Sequence, residues 1–77
     1  MSRQNFLSLS PRQKEVCRLV ARGLPNKQIA GELSIAPKTV RRHREDAYKL
    51  LGLRSGIELT HLLIVLGEVK VGDLAAE

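Results

Sequence analysis

An all-α fold, a compact domain of four helices, is what this sequence predicts, and three observations lead there. Apolar residues recur at helical rather than alternating spacing in four separate stretches. Each stretch opens on a residue suited to a helix start (Ser10, Asn26, Pro37, Ser55), and three of the four close on glycine (Gly23, Gly52, Gly67). At 77 residues the chain has room for one small core, with 43% apolar residues to fill it.

The first helix is expected over 11–22. Ser10 is its N-cap, Pro11 takes the first position, and Gln13 is placed to close a capping box. Val16, Leu19 and Val20 form the inner stripe with Cys17 beside them. Leu24-Pro25-Asn26 turns the chain, with Asn26 as N-cap of a short second helix over 27–33 that turns Ile29, Ala30 and Leu33 inward. Ser34-Ile35-Ala36 is a tight connection in which Ile35 plugs the core. The third helix runs 37–51, with Val40, Ala47 and Leu51 on one face and Lys38, Arg41, Arg42, Glu45 and Lys49 on the other. Two short helices joined by such a turn, the second one basic, make a helix-turn-helix. The fourth helix starts at Ser55 with a second capping-box pattern, Ser55 to Glu58, and runs to about 66. Residues 1–8 form a polar arm whose Phe6, with Leu9 just beyond it, folds back over the core. Residues 67–77 form a tail, frayed or loosely docked, in which Val69 and Val71 alternate around Lys70. The domain proper is thus 9–66.

Composition narrows the partner. A net charge of +5 and a pI near 10.0 call for a polyanion, which leaves nucleic acid, an anionic membrane or an acidic protein. No apolar run reaches membrane-spanning length and no charged-then-apolar leader opens the chain. A single cysteine, Cys17, rules out an internal disulfide and agrees with a reducing, cytoplasmic setting at the nucleoid. His43, His61 and Cys17 match no metal-ligand spacing, so neither metal nor cofactor is expected, and His43 reads as a packed or backbone-facing histidine. Glu45 and Asp46 project about 100° apart on a helix and form no catalytic pair. No phosphate-cradling glycine loop and no nucleophile–base pair is present, so the sequence does not read as an enzyme. With Phe6 and Tyr48 the only aromatics, stacking of single-stranded bases is disfavoured.

Leu9-Ser-Pro-Arg-Gln-Lys-Glu15, the run Ala21 to Ala30, Leu33, Ile35, Thr39-Val-Arg-Arg-His43 and Leu51-Gly-Leu-Arg-Ser55 together resemble the LuxR-type (GerE-like) DNA-binding domain of bacterial regulators. The resemblance covers Leu9 to about Leu66 at many fixed spacings. It implies a four-helix domain whose third helix reads the major groove and whose fourth pairs two copies. Carried across, Arg41, Arg42 and Glu45 stand where relatives touch base edges, and Asn26, Lys27, Lys38, Thr39 and Lys49 where they touch phosphates. Glu15 matches an acidic residue of the family's first helix and is expected to brace a basic side chain internally. Four positions depart from the pattern. Ala36 stands where a serine cap is usual, Ser34 where a glycine is common, Leu50 where a lysine is usual and Gly56 where an arginine is common. Arg42 and Arg44 are available to replace the two missing cations.

From the residues themselves, Arg41 or Arg42 can address guanine O6 and N7, the alternative being phosphate binding without readout. Glu45 can accept from cytosine N4 or hold Arg41 as an i,i+4 neighbour. Arg44, at the boundary of the two faces, can pair with an internal acid. On the fourth helix Leu59, Leu62, Leu63 and Leu66 seal the core, which leaves Ile57, His61, Ile64 and Val65 as a second stripe for a two-fold contact. The tail folding back over that stripe is the alternative. The expected protein is a sequence-specific, double-stranded DNA-binding transcription regulator acting as a homodimer, with RNA polymerase or a larger LuxR-type regulator as further partners. The rival expectation is a protein-interaction module that pairs with and modulates such a larger regulator. The initial Met, arm and tail lean towards a stand-alone regulator over an excised domain.

Overall fold

The computed structural model describes residues 3–70, with side chains from Asn5 onward. Its helices are α1 (Arg3–Leu7), α2 (Pro11–Ala21), α3 (Asn26–Leu33), α4 (Pro37–Leu51) and α5 (Gly56–Val65). The architecture is all-α, four substantial helices plus the short α1, and no strand occurs among the described residues. The α2 helix is the hub, packed against α4 and α5, while α3 lies on α4.

Local chemistry explains the boundaries. Ser10 and Gln13 form the expected reciprocal box: the Gln13 N–H donates to Ser10 Oγ at 3.0 Å, and the Ser10 N–H donates to Gln13 Oε1 at 2.9 Å. Ser55 Oγ accepts from the Glu58 N–H at 3.3 Å. The return arm differs from the expected box, because the Glu58 carboxylate accepts from the N–H of Arg54 rather than that of Ser55. Four C-terminal ends share one device, in which a residue just past the helix donates its N–H to the carbonyl five residues back: Leu24 to Leu19, Ile35 to Ala30, Leu53 to Tyr48 and Glu68 to Leu63. That loop needs a left-handed residue, supplied by glycine at three ends and by Ser34, at φ 58°, at the fourth.

Val16, Cys17, Val20, Ile29, Val40, Ala47, Leu51, Leu59 and Leu63 form the centre of the core. Leu33, Ile35 and Leu66 pack against it half-buried. Phe6 is fully buried, as the fold-back of the N-terminal segment requires, but it arrives on a helix where the sequence suggests only an arm. The α1 helix also touches α4. Arg18 fastens the segments around Phe6 and Glu68 to α2, its guanidinium 5.6 Å from the Phe6 ring centroid and 2.9 Å from Glu68 Oε1. Val69 is buried beside that pair, so 68–70 are docked rather than frayed. Val71 lies outside the described residues. Burial pushes the Cys17 thiol up to about 11, against the opposing charges of Arg18 and Arg44. Among the described residues no helix is long and apolar enough to cross a membrane.

Candidate nucleic-acid interface

The turn between α3 and α4 is three residues, Ser34-Ile35-Ala36. Ile35 is drawn inward, and the left-handed Ser34 reverses the chain. Ala36 holds the N-cap position of α4 in extended conformation without a side-chain cap bond, and Pro37 follows at the first position. Val40, Ala47 and Leu51 anchor α4 to the core. Its opposite face presents Lys38, Arg41, Arg42, Glu45 and Lys49, all exposed, with Thr39 half-buried beside them. Among the described residues none of these cations has an ion-pair partner, and Glu45 does not hold Arg41 despite the i,i+4 spacing. This face is therefore a block of hydrated, unneutralised donors with one acceptor in its midst.

The second helix of the motif begins one residue earlier than the sequence suggests. Pro25 occupies the N-cap position, with no side-chain cap bond, and Asn26 is the first helical residue. The reason is non-local: Asn26 Oδ1 is taken by Nη1 of Arg44, from the next helix. Arg44 also donates from Nε and Nη2 to the Tyr48 hydroxyl, at 3.1 and 2.8 Å. Its partners are neutral, where an internal acid was expected. Sequence reasoning missed this junction. The Arg44–Tyr48 spacing of i,i+4 was a usable signal for half of it, and nothing local marks Asn26 as the other half. Lys27 is exposed next to Asn26.

Other expected roles fall out unevenly. His43 is half-buried. Glu15 is not internal; it lies exposed and pairs at 3.3 Å with Arg12, one turn back. On α5, Ile57 and Val65 are 83% and 66% exposed, and His61 is exposed between them. With Leu53, Glu58 and Leu62 they line an open hollow of about 600 Å³. Ile64 is half-buried and does not line it. Val69 does not cover this hollow, because it docks on the far side against the Arg18–Glu68 pair. Among the described residues no group of three or more His, Cys, Asp or Glu side chains could hold a metal ion.

A tight two-helix turn with an unpaired basic face on its second member defines a helix-turn-helix DNA-binding domain. Residues 7–63 match the family described as bacterial regulatory proteins, luxR family, and the chain belongs to that family. Its members are transcription regulators and not enzymes. Among curated relatives, a candidate HTH-type transcriptional regulator of Mycobacterium tuberculosis is 46% identical over 52 residues, which is 68% of this chain and 6% of that protein. Nodulation protein W of Bradyrhizobium diazoefficiens is 44% identical over 62 residues, 80% of this chain and 27% of the relative. The nitrate/nitrite response regulator protein NarL of Escherichia coli is 42% identical over 50 residues, 65% of this chain and 23% of the relative. The chain thus spans a third or less of the length of these curated relatives. No solved structure matches it significantly.

Proposed function

We propose that this chain reads double-stranded DNA sequence through the major groove with α4, and that it does so at the bacterial nucleoid as a symmetric pair. The observation that carries the reading is the exposed outer face of α4, four cations without acidic partners among the described residues around an unpaired Glu45. Surface cations left unpaired contribute little to folding and much to phosphate neutralisation. In this reading Arg41, Arg42 and Glu45 address base edges. Asn26, Lys27, Lys38, Thr39 and Lys49 hold the phosphates that fix the register. Arg42→Ala then lowers specific affinity by about 1–3 kcal/mol while sparing most non-specific binding. Lys49→Ala weakens all sequences alike and reduces the salt slope by about one. Titration on a selected duplex and its scrambled counterpart over a salt series tests both. Equal losses for Arg42→Ala on the two duplexes would remove the readout assignment.

Pairing has its own support, since Ile57 and Val65 leave an apolar hollow open to water on α5. A two-fold contact through Ile57, His61 and Val65, with Ile64 at its half-buried edge, would cover it. Two copies would then address half-sites about one DNA turn, roughly 34 Å, apart, on an inverted repeat. Val65→Glu should give a folded monomer that loses cooperative binding; sedimentation and circular dichroism read both properties. A larger luxR-family regulator bound at the same face, in place of a second copy, would appear in that experiment as a wild type monomeric even on DNA.

A further inference from the structure

Arg44 is the one arginine of α4 that does not face outward freely. It reaches α3 through Asn26, holds Tyr48 on its own helix, and lies against the start of α5. A Cβ built on Gly56 would stand 3.3 Å from its Nη2 and 3.5 Å from the Tyr48 hydroxyl. Glycine at 56 thus leaves the guanidinium its room. Three consequences follow from donor and acceptor chemistry alone.

Arginine has only donors, so the atom of Asn26 that faces it must be the amide oxygen. The Asn26 amide is therefore locked in one of its two orientations, and its Nδ2 group is the end left over. That nitrogen has no protein partner among the described residues. It is not sealed from water either, since no described buried side-chain nitrogen or oxygen is without a partner. Finally, Tyr48 and Asn26 are neutral, so the guanidinium is held without being neutralised and its charge still acts at the start of α3. That start carries exposed Lys27, unbonded first-turn N–H groups and the positive end of the helix dipole.

We propose that Arg44 is a positioning residue for DNA binding. By occupying Oδ1 of Asn26 it presents Nδ2 as a fixed donor to a backbone phosphate at the N-terminus of α3. This rests on the reading of Asn26 as a phosphate contact and adds the reason the amide points the right way. An unpinned amide offers oxygen as readily as nitrogen, and oxygen repels phosphate. Arg44 itself contacts no nucleotide in this arrangement.

The test is a double-mutant cycle on a mixed-sequence duplex at low salt, with binding followed by fluorescence anisotropy and folding by thermal melts. Asn26→Ala weakens binding about tenfold when Arg44 is present and less than about twofold in an Arg44→Met background. A purely structural Arg44 would lower the melting temperature yet leave the Asn26→Ala factor the same in both backgrounds, and that result overturns the proposal. Asn26→Asp separates the roles further, because it keeps an acceptor for Arg44 and removes the donor. It should melt at or above the wild-type temperature and bind at least about tenfold more weakly; wild-type binding by this variant overturns the proposal as well. Should Arg44→Met not fold, Arg44→Lys replaces it in the cycle, since one ammonium cannot reproduce the planar fork that holds Tyr48 and Asn26 together. A wild type that binds no duplex overturns the DNA reading itself, whereas intact binding without coupling overturns the role of Arg44 alone.

Discussion

Ser34 is the place where this fold departs most plainly from what its backbone needs. It is the only described non-glycine residue with positive φ, at φ 58° and ψ 43°, and three other helix ends fill the equivalent position with glycine. A left-handed conformation costs an L-residue roughly 1–2 kcal/mol, because Cβ crowds the following carbonyl oxygen. Glycine escapes that cost but gives up about 0.5–1 kcal/mol of chain entropy on folding. Nothing else enters the balance, since Ser34 is exposed and its hydroxyl makes no hydrogen bond in the structure. Ser34→Gly should therefore stabilise the domain by about 0.5–1 kcal/mol, leaving the Ile35-to-Ala30 hydrogen bond in place. For a domain of this size that is a rise in Tm of about 2–8 °C. Urea and thermal melts of the two proteins measure it. Two companions isolate the cause: Ser34→Ala should change little, and Ser34→Val should lose stability, because a β-branched residue tolerates positive φ worst. A glycine variant no more stable than wild type, or an alanine variant that gains as much as glycine, would refute the backbone argument.

Three further outcomes are expected. Ala36→Ser supplies an acceptor to an N-terminus of α4 that has no side-chain cap, and should add up to about 1 kcal/mol in the same melts. Val69→Ala removes two methyl carbons from a buried site and should cost roughly 1.5–3 kcal/mol; a neutral result would mean that 68–70 do not dock in solution. The Cys17 thiol titrates near 11 in the fold against 9.0 unperturbed, so its stabilising contribution is complete below pH 9 and is lost as pH rises towards 11. Alkylation at neutral pH should accordingly need unfolding, while fast labelling of the native protein would contradict the burial.

What the sequence discloses and what it hides divide along the range of the interactions involved. Ser10 with Gln13, the stops at Gly23, Gly52 and Gly67, and the inward stripe of α4 are decided within a few residues, and each is legible from spacing. The α1 helix is not, because five residues have no helical stability of their own; it exists because Phe6 finds the core and Arg18. Asn26 looks like a cap by local preference and is taken from that role by an arginine eighteen residues on. Val69 sits in too short an alternation to carry a signal, yet it is buried. In the candidate interface the exposed cations were readable by helical phase. Ile64 was not, because a helical wheel fixes direction but not how far the neighbouring chain reaches around it.

The arginines show how one residue type serves two purposes in so small a chain. Arg18 is held by Phe6 and Glu68, and Arg44 by Asn26 and Tyr48, so each ties its own helix to another segment of the fold. Arg41 and Arg42 are held by nothing among the described residues, although Glu45 lies one turn from Arg41. Pairing Arg41 with Glu45 would add a few tenths of a kcal/mol to the helix and, on the proposed base readout, would have to be undone before either side chain met a base. Leaving them apart forgoes that stability and keeps both groups exposed to water. The same economy governs the position of the held arginines. Arg44 is immobilised by neutral acceptors, so its order is gained without cancelling a charge that lies beside the start of α3. Arg18 meets a carboxylate on the side of the fold where the N- and C-terminal segments are fastened. The charge of Arg18 is neutralised where the N- and C-terminal segments meet, and those of Arg41, Arg42 and Arg44 are left uncompensated where the proposed function places phosphate, a distribution that suits a small domain binding a polyanion.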